Sequence, residues 1–372
     1  MKIENKEYKF NSYFTLVNGQ VLKELTVSYQ TYGALNKRKD NAILVCHYFS
    51  GDKHIAGKYD EKEEIPGWWD DIVGSGKAID TDKFFVISSD SLSCVVNSEK
   101  VTTTSPRSIN PETGEPYGMD FPVITIQDMV HAQKMLIDSL GIEKLHAVTG
   151  PSMGGLQSLA WSVLYPDYVN KCIPIAAAPQ VDCFSCFFPL RMGILSIMND
   201  RYFNNGKYYN SKNKPLEGLK NAINGLALIA RGRDWGEKIL NGKNFIKDKN
   251  PYDSIDNMFD FERNIIDGVG ARASIYDACS YVYLSKANII FSLYHGFKNV
   301  ESAIDKIKSE FLLIAEKNDI FILPEEMRNF HKLLSENGIK SYYTEFSSPV
   351  GHLGSVSHAL LFAEKIKDFL NC

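Results

Sequence analysis

The chain of 372 residues is 44% hydrophobic and 23% charged, with a formal net charge of −4 and no basic tract. This is ordinary globular composition, and it gives no reason to expect nucleic acid or a membrane surface as a partner. No apolar run reaches the ~18 residues of a membrane span, and the polar opening Met1-Lys2-Ile3-Glu4-Asn5-Lys6 shows no secretory signal.

In chain order, residues 8–16 and 21–32 alternate polar and apolar around Asn18-Gly19, a β-hairpin signature. Residues 41–47, 84–90, 144–150 and 171–176 are short runs apolar on both faces, which predicts buried parallel strands. Between them, Ile126, Met129, Val130, Met135, Leu136 and Leu140 share one broad face of a helix over 125–140. A second helix is predicted over 156–165. Strands alternating with helices imply a doubly wound sheet.

The alternation stops near Pro179. Residues 180–307 hold helix-like segments, polar loops and many aromatics, and buried strands return only at 311–315 and 341–346, before a closing helix over 356–370. We therefore expect a core of residues 1–179 and 308–372, interrupted by a helical lid over 180–307. The seven cysteines, an odd number, read as reduced thiols of a cytoplasmic protein. Cys183 and Cys186 have CxxC spacing, but with no second pair and no nearby histidine they read as packing residues rather than a redox or metal site.

Gly150-Pro151-Ser152-Met153-Gly154-Gly155 lies between a buried strand and a helix. A serine between glycines at that turn describes a nucleophile elbow, hence an α/β-hydrolase fold: a mostly parallel sheet flanked by helices. A phosphate loop would end in Gly-Lys-Ser/Thr, which is absent. A serine hydroxyl needs a base, and the base an orienting acid. In this fold their chain order is Ser, then Asp or Glu, then His.

Asp319 follows the 311–315 strand, with Glu316 as a competing acid nearer the strand end. His352 sits in the loop after the last strand, with His358 as its rival inside the closing helix. An oxyanion would take two backbone N–H groups, one from Met153 after the nucleophile and one from Phe49 in the loop after the 41–47 strand.

The runs Gly67-Trp68-Trp69-Asp70-Asp71, Gly76-Lys77-Ala78-Ile79-Asp80-Thr81, Ser108-Ile109-Asn110-Pro111 and Tyr117-Gly118-Met119-Asp120-Phe121-Pro122 resemble the homoserine O-acetyltransferase family. So do the elbow and the loop over 47–57. The likeness covers nearly the whole chain. It implies an acyltransferase that moves an acyl group, acetyl first, from acyl-coenzyme A to the hydroxyl of homoserine or a similar small acceptor. The route would be ping-pong through an acyl-serine at Ser152, with His352 as base and Asp319 as its orienter.

The resemblance further implies small-molecule substrates, acetyl-CoA or another acyl-CoA as co-substrate, no resident cofactor or metal, and a homodimer packed through lid helices. It places Arg191 and Tyr208 near the substrate. Two departures concern the acceptor. Where the family carries an aspartate directly after the catalytic histidine, this chain has Leu353. Residues 93–105 replace the family's glycine-rich loop with Val95-Val96-Asn97-Ser98. A small-ester or thioester hydrolase using the same three residues is the alternative reading.

Overall fold

The computed structural model describes residues 3–60, 65–184, 187–239 and 241–372. Its main sheet is built from Lys6–Phe10 (β1), Leu25–Tyr32 (β2), Ala42–Cys46 (β3), Phe85–Ser89 (β4), Leu145–Pro151 (β5), Val169–Ile175 (β6), Glu310–Glu316 (β7) and Ser341–Phe346 (β8). Their spatial order is β1-β2-β4-β3-β5-β6-β7-β8. β1 and β2 are antiparallel to their neighbours, and every other pairing is parallel.

The central strands are apolar on both faces because both faces are covered. In β3, Ala42, Leu44 and Cys46 join the larger core cluster, while Ile43 and Val45 join the cluster on the opposite side of the sheet. Leu44, Ile43 and Val45, withdrawn from water, each stabilise the fold by about 1.5–3 kcal/mol. The predicted hairpin around Asn18-Gly19 is present but interrupted. A two-residue pairing of Phe14–Thr15 with Val21–Leu22 sits nearest the turn, and β1 pairs with β2 beyond it.

Helix Ile126–Ser139 (α1) starts where the sequence dictates. The Thr125 hydroxyl accepts from the Asp128 N–H while Asp128 accepts from the Thr125 N–H, a reciprocal cap. Helix Met153–Leu164 (α2) begins three residues before the predicted start, so the two glycines after the nucleophile form its first turn. A Cβ on Gly154, or on Gly150 before the nucleophile, would run into the Cys46 carbonyl oxygen, and one on Gly155 would meet the Ala177 side chain.

Among the described residues, none of 180–307 contributes a strand to the main sheet. This stretch forms helices Phe187–Met198 (α3), Leu216–Ile229 (α4) and Ala278–Ile289 (α5), with shorter turns between them. Gly193 lets α3 approach Ala222 of α4 and Tyr281 of α5. The chain then returns to β7, helix Pro324–Glu336 (α6) and β8.

The closing helix differs from expectation. A short turn covers Gly354–Ser357, and the regular helix, Ala363–Asn371 (α7), begins only after Phe362. The indole N–H of Trp69 donates to the Ser355 carbonyl at 3.2 Å. This bond ties the broken stretch to the core around Trp69. No helix among the described residues is long and apolar enough to cross a membrane.

Candidate active site

Because β3, β5, β7 and β8 run parallel, the segments that follow them emerge at one edge of the sheet. Those four segments carry Phe49, Ser152, Asp319 and His352. Ser152 stands between β5 and α2 with φ 55° and ψ −122°, a backbone conformation disfavoured for a residue with a Cβ. The strain lifts its hydroxyl out of the turn. Oγ of Ser152 lies 2.8 Å from Nε2 of His352, and Nδ1 of His352 lies 2.5 Å from Oδ2 of Asp319. With the Nδ1 proton held by the carboxylate, Nε2 is left to accept the serine proton.

Asp319 is itself fixed. Its Oδ1 accepts from the N–H of Phe321 at 2.8 Å and of Ile322 at 3.0 Å. The Phe321 ring packs edge-on against the imidazole at 5.0 Å. The competing acid is engaged elsewhere. Glu316 accepts from the N–H of Ser348 and of Asn318, tying the end of β7 to the loop that carries the base. The rival His358 sits beyond the short turn, its ring bonded to the Ser357 hydroxyl.

Among the described residues, neither the N–H of Phe49 nor that of Met153 has an acceptor. Met153 opens α2, where backbone N–H groups are left over and the helix dipole favours negative charge. Phe49 is set by a polar hub beneath its loop. His47 bonds through Nδ1 to the Tyr48 carbonyl at 2.7 Å and accepts the Ser91 N–H on Nε2 at 2.9 Å. Burial lowers the pKa of His47, which keeps the ring neutral and able to accept. Asp90 takes the Lys53 ammonium and the Lys53 N–H, both at 2.8 Å. Lys53 and Asp90 are fully buried at their side chains.

His47, Asp90 and Cys94 are close enough to suggest a metal site. Their atoms are already engaged, however: His47 at both nitrogens, Asp90 by Lys53 and Ser28, and Cys94 by a contact with the Gly51 carbonyl. The trio reads as scaffolding.

Ser152 and His352 open into a cavity of about 110 Å³, lined mainly by apolar and aromatic side chains from the core and the lid. Arg231 and Arg272 line it as well, and neither is marked out by the sequence. They come from lid segments that carry no local motif. Arg191 and Tyr208 do not line this cavity. Arg191 lies on α3, whose inward face is Leu190, Gly193, Ile194 and Ile197, so the arginine is turned away toward the Phe187 ring. Tyr208 is buried behind the wall: its hydroxyl donates to Asp277 at 2.7 Å and accepts the Cys279 N–H at 2.9 Å. It thus braces the start of α5 next to Tyr276, which does face the cavity.

The unusual 93–105 segment serves the same wall. Val96 bridges Tyr276, and the Val95 carbonyl accepts the Asp277 N–H at 2.8 Å. Leu353 lines the cavity, and its N–H donates to the Ala230 carbonyl at 2.9 Å, joining the base's loop to the lid. Cys183 is an exposed free thiol, and Cys186 lies outside the described residues.

This geometry has known counterparts. Residues 41–220 match the family described as alpha/beta hydrolase fold. The homoserine O-acetyltransferase of Methanohalobium evestigatum is 41% identical over 372 residues, covering 94% of this chain and 70% of that protein. The crystal structure of homoserine O-acetyltransferase from Bacillus anthracis superposes with a TM-score of 0.96 at 34% identity, covering 100% of this chain and 98% of that one. The crystal structure of esterase E22 superposes at 0.93 and 36% identity, covering 99% and 100%. The chain is an acyltransferase-type enzyme with the α/β-hydrolase fold, and it belongs to the homoserine O-acetyltransferase family.

Proposed function

We propose that this enzyme transfers an acyl group, acetyl first, from acyl-coenzyme A to the hydroxyl of homoserine or a similar small acceptor, through an acyl-serine at Ser152. His352 takes the serine proton as Oγ attacks the thioester carbonyl, and the N–H groups of Phe49 and Met153 hold the oxyanion. The carbon–sulfur bond breaks and the proton leaves with the thiol. The acceptor hydroxyl then attacks the acyl-serine, giving its proton to His352, which returns it to Oγ. Asp319 keeps the imidazole in the required tautomer throughout. The route as proposed uses no resident cofactor or metal.

The observation that carries this reading is the Ser152–His352–Asp319 hydrogen-bonded chain under a helical roof. A roofed acyl-serine is shielded from bulk water, which favours an alcohol as second substrate. The exposed apolar side of α3, including Phe188, Met192, Leu195 and Met198, supports assembly as a homodimer through the lid helices.

The test is incubation with acetyl-CoA, with and without homoserine, following free thiol and intact mass. An acetyl adduct that is lost in Ser152→Ala and discharged by an alcohol is the expected result. Thiol release at one rate with or without any alcohol would establish a hydrolase instead. That second reading is favoured by the similarity to esterase E22 and by Leu353, which offers an acceptor amine no charge.

A further inference from the structure

The cavity around Ser152 is lined by two arginines and, among the described residues, by no aspartate or glutamate. Arg231 is half-buried. One of its N–H groups donates to the Ala227 carbonyl at 3.0 Å, and its guanidinium lies 4.4 Å from the centre of the Trp235 ring. Among the described residues neither Arg231 nor Arg272 has a carboxylate within ion-pair distance. Leu353, beside the base, adds apolar surface where a charge could have stood.

Two cations without a carboxylate partner on the wall of a reactive serine's cavity, Arg231 half-buried and Arg272 exposed, welcome an anion. They also repel a cation, which would find no carboxylate and would lose its hydration on entering. Burial, then the charge of Arg272, pulls the pKa of Arg231 below the ordinary arginine value, a cost that a bound anion reverses. An α-amino acid brings both signs of charge, and this wall matches only one of them.

We propose that the natural acceptor is a hydroxy acid without an ammonium group, held by its carboxylate on Arg231 and Arg272 with its hydroxyl at acyl-Ser152. This rests on the acyl-transfer reading and narrows it. The acceptor oxygen bonds to the acyl carbon and its proton passes to His352. The bond from that carbon to Oγ breaks, Oγ recovers the proton, and an O-acyl hydroxy acid leaves. No oxidant or reductant takes part.

The anion could instead be the phosphates of the donor, so the test uses a neutral donor, p-nitrophenyl acetate, which acetylates Ser152 without them. Four alcohols are compared by mass spectrometry of the ester formed: γ-hydroxybutyrate, L-homoserine, aminopropanol and propanol. The first lacks only the ammonium of homoserine, and the third lacks only its carboxylate. γ-Hydroxybutyrate is expected to exceed homoserine in kcat/KM by about tenfold or more, with aminopropanol poorest. In Arg272→Gln and Arg231→Gln the preference for γ-hydroxybutyrate over propanol should shrink toward unity, and in Arg272→Lys it should be retained.

Homoserine equal to or better than γ-hydroxybutyrate overturns the proposal while leaving acyl transfer intact. So does a preference untouched by both glutamine variants, which would assign the arginines to the donor. Release of p-nitrophenol with no ester from any alcohol overturns acyl transfer itself.

Discussion

Glu316, the last residue of β7, and Asp319, three residues further on, hold different partners: Asp319 binds the imidazole of His352, whereas Glu316 binds backbone N–H groups of Ser348 and Asn318. Removing the two carboxylates should therefore have separable effects. Asp319→Asn keeps the shape but offers an amide to Nδ1, which disfavours the useful tautomer. By analogy with other serine triads, kcat should fall by about 10⁴-fold with little change in melting temperature. Glu316→Ala should instead destabilise by about 1–3 kcal/mol, because the buried Ser348 N–H and the partly buried Asn318 N–H lose their acceptor. Denaturant titration together with steady-state kinetics on both variants separates the two, and equal losses of activity would remove the distinction.

The strain at Ser152 gives a second expectation. Its φ of 55° and ψ of −122° suit glycine better than any residue with a Cβ. Ser152→Gly should abolish acyl-enzyme formation yet raise stability by about 1 kcal/mol, the lower end of what such backbone strain costs. A lower melting temperature would mean that the hydroxyl's bond to His352 outweighs the strain. Gly154→Ala should do the reverse and fail to fold, since its Cβ meets the Cys46 carbonyl.

How far the sequence predicts these features depends on how local each one is. The elbow is legible because its glycines, strand and helix are contiguous, Asp319 because it follows closely on an apolar strand, and His352 because it lies in the loop after the last strand. Arg231 and Arg272 are not legible. Each lines the cavity of Ser152 only through the tertiary packing of the segments that carry it, which no spacing along the chain records. Arg191 shows the opposite failure: it occupies a suggestive position, but packing of Leu190 and Ile194 rotates it outward. The closing helix also departs from expectation, and the residue that bonds its broken stretch, Trp69, lies far away in sequence.

The buried Lys53–Asp90 pair holds the loop of Phe49. Lys53→Met would leave the Asp90 charge buried without its ammonium partner, at a cost of about 3–5 kcal/mol. The expected reading is a lower urea midpoint. Where protein survives at low temperature, acylation should slow, because the Phe49 N–H is no longer held in place. Unchanged acylation in folded Lys53→Met would detach this ion pair from the oxyanion site.

Acid should act on the same region through His47, and on two further histidines outside it. Burial lowers the pKa of His47, His131 and His146 below the ordinary value of 6.5. The unfolded chain then binds protons that the folded chain refuses, so stability is present above about pH 6.5 and falls as pH drops below it. The slope is at most ~1.4 kcal/mol per pH unit for each histidine. The raised pKa of buried Glu316 contributes in the opposite sense, nearer the carboxylate range. Thermal melts between pH 5 and pH 7, from about 1.5 units below the ordinary histidine value to about 0.5 above it, should show this loss. His47→Asn should be less stable at neutral pH but show a shallower slope. An unchanged slope would mean that His47 titrates normally.

Leu353→Asp tests what the cavity lacks. The backbone of Leu353 is fixed by its bond to the Ala230 carbonyl and its side chain already lines the cavity, so a carboxylate there would enter the same cavity as the base and the two arginines. It would offer an ammonium group the partner it now lacks, while repelling an acceptor that carries only a carboxylate. Homoserine should gain by about tenfold in kcat/KM, roughly the worth of one partly screened ion pair, and γ-hydroxybutyrate should lose. Parallel changes for the two acceptors would show that the aspartate acts on the imidazole rather than on the substrate. A shift in the pH profile of acetylation from p-nitrophenyl acetate, which carries no charge to be read, would identify that case independently.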